Sequence, residues 1–172
     1  MAVVINPGGP TDRESIKLAT RKRRFIRNLA HIEALPETMR ARIEVNTKAH
    51  PSIEPISGSA VYNCYGMVFA ARRTWILHPE DVSAILEDDG YHPLPWDPAA
   101  WQVGDIVLYN DRDGGLTHVG MIARKSISIS DAQIKVDVLS TWGETGEYLH
   151  PIDVVSPFLG KPSAVVSQRF LP

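Results

Sequence analysis

A chain of 172 residues, 44% hydrophobic and 22% charged, has the make-up of a globular domain with a core of its own. Its formal net charge of −2 at pH 7 gives no overall attraction to nucleic acid or to an anionic membrane. One cysteine, Cys64, excludes an internal disulfide framework and a multi-cysteine zinc site.

No apolar run approaches the ~18 residues of a membrane span. The opening MAVVINPGGPTDRES has neither a basic n-region nor a long apolar core, so no secretory signal is expected there. The expected location is the cytoplasm, with export by a dedicated secretion system as the other route.

In chain order, residues 1–10 read as an extended terminus closed by the breakers Pro7 to Pro10. Thr11 and Glu14 have capping-box spacing, which predicts a helix from about Asp12. Leu18, Phe25, Leu29 and Ile32 would share one face of it, with Ile16 and Ile26 beside them. The other face would carry Lys17, Arg21, Lys22, Arg23, Arg24 and Arg27. Sparse aromatic interleaving makes this a solvated face before a nucleic-acid surface, with docking of a protein partner as a further role. A second short helix is expected from Pro36 to about Val45, and residues 50–59 (HPSIEPISGS) read as a loop.

From Cys64, the spacing of Met67, Val68, Ala71, Trp75 and Ile76 predicts a buried helix. Another should begin at Pro79, bury Val82, Ile85 and Leu86, and stop at Asp89-Gly90. The three prolines of YHPLPWDPAAW predict irregular structure. Strands then follow at 105–109, 117–124, 133–140 and 163–170, separated by turn signals. Helices first and strands afterwards predict an α+β fold with helices on an antiparallel sheet.

Four of the six histidines, His50, His78, His92 and His150, directly precede proline, which biases them to extended or turn backbone. Only His118 lies within a predicted strand, on the face of Gly120 and Ile122. No HExxH or P-loop is present, and DRDGG lacks the remaining ligands of a calcium loop, so no metal or cofactor is expected.

A nucleophilic cysteine needs a thiolate, a base and donors for the oxyanion. Asn63 is a suitable N-cap, which would put Cys64 in the first turn, where free N–H groups and the helix dipole lower a thiol's pKa. His118 is the candidate base. Ser140 and Asp137, on opposite strand faces, are candidates to orient it. Taken alone, a single cysteine in an apolar helix is more often an inert core residue.

Three segments, in order, resemble the papain-like cysteine hydrolases, and most closely their NlpC/P60 branch. YNCYGMVFAARR resembles the segment in which the nucleophile opens a helix, WQVGDIVLYND the strand that follows, and LTHVGMIAR the strand supplying the base. LSTWGETGEYLH resembles the Asn-Ser-Trp-Gly stretch of papain-type enzymes, placing Ser140 where they have the orienting Asn.

The resemblance covers residues 58–170. It implies a cysteine-bearing helix packed on a small antiparallel sheet, and a thiolate that attacks an amide through an acyl-enzyme. It divides the chain into a helical extension, 1–48, and an NlpC/P60-like catalytic domain, 49–172. The implied substrate is a peptide or a peptidoglycan-type amide, with acyl transfer, or a catalytically inactive scaffold acting as a binding or adaptor module, as alternatives.

Asn63 stands where the family has Asp, and Tyr65 where it has a small residue, which narrows the expected cleft. Ser140 is a weaker orienter than His, Asn or Gln, with His150 as its alternative. Tyr62 is the candidate for an upstream oxyanion donor. Trp75, Trp96 and Trp101 are expected as core or loop anchors, whereas Trp142 adjoins the third catalytic position.

Overall fold

Alternating β-branched residues build a larger sheet than the resemblance implies. A computed structural model describes residues 16–128 and 132–168. In it, seven strands form one antiparallel sheet: β2 (Glu54–Ser57), β4 (His92–Pro93), β5 (Ile106–Asn110), β6 (Leu116–Ile127), β7 (Ile134–Thr141), β8 (Glu147–Pro151) and β9 (Lys161–Ser167). Their spatial order is β2-β8-β7-β6-β5-β9-β4. A separate two-stranded ribbon pairs β1 (Asn28–Leu29) with β3 (Trp75–Ile76).

The helices are α1 (Pro36–Ala49), α2 (Cys64–Phe69) and α3 (Pro79–Asp88). The α+β class stands, but the papain-like layout of helices on a small sheet is overturned by this predominance of strand. The added strands come from segments that proline made look irregular. β2 and β4 are the two edges of the sheet, where the missing proline N–H breaks no ladder.

The helix expected from Asp12 to Ile32 is not formed from residue 16 onward; its first residues, 12–15, lie outside the described ones. A tight turn at Thr20–Arg24, with Arg23 at φ 65°, instead folds the segment back on itself. The turn brings Thr20, Lys22 and Arg24 together, and all three reach the buried carboxylate of Asp88, at 2.7, 3.3 and 3.0 Å. Arg27 Nε donates to Asp81 at 2.8 Å. In a helix Thr20, Arg24 and Arg27 would share one face, but Lys22 would point away from it and miss Asp88. Lys22, Arg24 and Arg27 thus form no basic helical face for a partner, because they hold an extended strap against α3.

α1 begins at Pro36 as expected but runs to Ala49, past Val45, and stops at the His50-Pro51 pair. α2 is shorter than the apolar spacing suggested. Ala71 and Arg72 take left-handed φ values of 49° and 61°, the chain doubles back, and Trp75–Ile76 becomes a strand. Gly66 permits this, since a Cβ there would stand 1.7 Å from the Thr74 carbonyl oxygen. α3 matches the sequence reading at both ends, with Gly90 at φ 77° just beyond it.

The sheet buries two faces. α2 and α3 cover Ile106, Val119 and Val166. Trp101 and Leu94 help cover Val107, Tyr109, Ile122 and Val138 on the other side. Among the described residues, no helix is long and apolar enough to cross a membrane.

Candidate active site

Cys64 is the first residue of α2 and is buried. Asn63 caps the helix as expected: its Oδ1 accepts from Gly66 N at 2.9 Å and from Ile76 N at 3.2 Å. Its Nδ2 also donates to the Ile76 carbonyl at 2.8 Å, ties that an aspartate could not make in full. This accounts for Asn where the resembled family has Asp. Asn63→Asp is expected to lower stability by about 1–2 kcal/mol, because the Ile76 carbonyl would face a carboxylate in place of a donor. Urea denaturation of the two proteins measures it.

Backbone N–H groups of Cys64, Tyr65 and Val119 face the Cys64 sulfur and favour its anion. Burial outweighs them and pushes the thiol up to about 11, reversing the expected depression. The resting group is a neutral thiol.

His118 lies on β6 beside Val119 and is fully buried. Alternation sends Val119 into the cluster that holds Cys64, while the His118 ring packs 5.2 Å from that of Tyr109. The sulfur faces the Val119 amide, so thiol and imidazole lie near one peptide unit but on opposite faces of β6. Among the described residues neither ring nitrogen of His118 has a hydrogen-bond partner, Cys64 included. Burial, reinforced by nearby His150, lowers the imidazole's pKa to about 3.

Ser140 does not bond His118. It belongs to a different chain of hydrogen bonds: Trp142 Nε1–H donates to Ser140 Oγ at 3.1 Å, and Ser140 lies 2.7 Å from His150 Nε2. His150 Nδ1 is 2.9 Å from the Pro151 carbonyl, which can only accept. Nδ1 therefore carries the proton, Nε2 accepts, and the Ser140 hydroxyl donates to it. Burial is the main cause of His150's lowered pKa, so the ring stays neutral. The pairing of Val138 with His150 and of Ser140 with Tyr148 in β7–β8 sets these groups on one face. Asp137 is instead held by Arg124, at 2.7 Å.

Tyr65 anchors to the sheet, its hydroxyl donating to the Leu116 carbonyl at 3.0 Å. Tyr62 is likewise engaged, donating to Glu147 Oε1 at 3.1 Å. Arg72 Nε meets the same oxygen at 2.5 Å. Sequence reasoning missed the buried Glu147 and its partner, which are 75 residues apart and belong to no motif. Together they tie the loop after α2 to β8 and hold the cysteine's helix in place. Thr141 Oγ1 is a further buried polar atom without a partner among the described residues.

Compared with known proteins, the chain matches no family model, no curated protein and no solved structure. Among the described residues, no group of three or more His, Cys, Asp or Glu is placed to hold a metal ion.

Proposed function

We propose that the chain is a cysteine hydrolase acting on an amide bond of the peptide or peptidoglycan type. Cys64 is the nucleophile and His118 the proton acceptor. The observation that carries this reading is one peptide unit: the Val119 amide faces the Cys64 sulfur, and the preceding residue holds a buried imidazole with both nitrogens unbonded. A buried imidazole without partners is costly to keep, and a reacting group would supply the missing bond. The resemblance to NlpC/P60 segments, with Cys64, His118 and Ser140 in that order, supports the same assignment.

Thiol and imidazole are both neutral at rest and lie on opposite faces of β6. Proton transfer therefore accompanies attack and needs a rearrangement, or a relay through bound water, that joins the two. Cys64 Sγ bonds to the carbonyl carbon as its proton passes to His118, and the N–H groups of Cys64, Tyr65 and Val119 are donors for the oxyanion. His118 then protonates the departing amine, the C–N bond breaks, and a thioester remains. Water, deprotonated by His118, attacks the thioester and releases the acid and the thiol. Ser140 and His150 act together in the third position, as a neutral pair bordering His118.

A binding module without catalysis is the second reading, favoured by the missing Cys64–His118 hydrogen bond and the raised thiol pKa. Intact-mass spectrometry after incubation with peptide esters, peptide amides and peptidoglycan fragments separates the two. The hydrolase should gain an acyl mass on Cys64 that Cys64→Ala lacks. If no substrate in the panel leaves that mass and none is turned over, the binding module stands.

A further inference from the structure

A cleft of about 660 Å3 lies between the β5–β6 turn and the segment 153–161. Arg112, Asp153 and Lys161, all exposed, line it, and none makes a side-chain ion pair or hydrogen bond among the described residues. Asp111 lines it too, but its carboxylate is taken up by the Asp113 and Gly115 N–H groups. Its volume falls within the roughly 300–1,000 Å3 of small-ligand sites.

The wall of the cleft is set in advance. Thr117 Oγ1 donates to the Leu159 carbonyl at 2.8 Å, and Gly160, at φ 87°, lies so near β5 that a Cβ would stand 2.4 Å from the Asn110 carbonyl oxygen. Phe158, on the same wall, is 92% exposed, an unusual position for a phenylalanine and a ready apolar contact for a ligand. The cleft also adjoins the buried histidines. Tyr109, its ring tilted against that of His118, donates to the Ile152 carbonyl at 3.1 Å, and the Asp153 charge acts on both Tyr109 and His150.

We propose that this cleft binds the zwitterionic end of a peptide-like ligand, its ammonium at Asp153, its carboxylate at Arg112 and Lys161, and its apolar side against Phe158. The proposal deepens the hydrolase reading, and rests on it only in taking the ligand to be substrate.

The test uses the Cys64→Ala protein, so binding is read without turnover. Tri-alanine with free termini, its N-acetyl form and its C-terminal amide are titrated by NMR. The free peptide should move the amide signals of Arg112, Asp153 and Lys161, and either blocking group should weaken binding by about tenfold. Asp153→Asn should remove the penalty for acetylation, and Arg112→Ala with Lys161→Ala the penalty for amidation. Equal binding of all three peptides, no binding, or shifts confined to other residues would overturn the assignment. An acyl mass on Cys64 measured separately would then still uphold the hydrolase.

Discussion

His118→Gln is expected to cut kcat on a peptide amide by about 10²–10⁴-fold, with KM and the folded structure little changed. His118 is the group that takes the thiol proton, and a glutamine amide can fill the site but cannot accept that proton. The neutral resting state makes the loss large: with the thiol pushed up to about 11, almost no thiolate exists without help. His150→Gln is the comparison. It breaks the bond from Ser140 and acts through position alone, so its effect on kcat should be smaller. Purified variants, checked by circular dichroism and assayed on the substrate that acylates Cys64, provide the measurement. Should His118→Gln retain kcat within threefold of the parent, His118 is not the base.

Acidification should destabilise the protein steeply between pH 6.5 and 3, and His118→Leu should flatten that fall. In the folded chain the imidazole takes up its proton only near pH 3, against about 6.5 when unfolded. Through that window the unfolded state binds more protons, so stability drops as pH falls. The penalty is absent above pH 6.5 and reaches on the order of 4 kcal/mol at its full extent. His150, also lowered by burial, adds in the same direction. Leucine removes the buried imidazole and its unpartnered nitrogens, so the variant should also be at least as stable as the parent at pH 7. Urea denaturation at pH 7, 5.5 and 4.5 reads both effects, and parallel pH slopes in the two proteins would refute the assignment. Cys64 acts at the alkaline end. Its thiol stays protonated in the fold to about pH 11, so stability should fall as pH rises above the ordinary thiol range.

Elements whose signal lies within a few neighbouring residues were legible in the sequence. α3 runs from Pro79 to Asp88 because proline at N1, an apolar face and Gly90 all act locally. β5, β6, β7 and β9 follow runs of β-branched residues, and Asn63 caps α2 as its residue type suggests. The N-terminal strap was misread because Leu18, Phe25, Leu29 and Ile32 fit a helical period. The residue that decides the matter, Asp88, lies more than sixty positions away. α2 was overextended for a similar reason: nothing near Ala71 announces that the chain must turn back over Gly66. β8 is not among the strands the sequence predicts, and its place between β2 and β7 is set by pairing alone.

Sequence alone therefore determined the identity of the chemical groups and their order: one thiol opening a capped helix, one strand histidine after it, and a serine and a further histidine beyond. Residue type, capping and short-range period are local properties, and they survive without a fold. Tertiary structure decided how those groups are poised. Burial holds the thiol and the His118 imidazole neutral, β7–β8 pairing gives Ser140 to His150, and the Tyr62–Glu147–Arg72 cluster anchors the loops on either side of the cysteine's helix. Desolvation and long-range hydrogen bonds depend on what lies against a side chain, and only the folded chain supplies that.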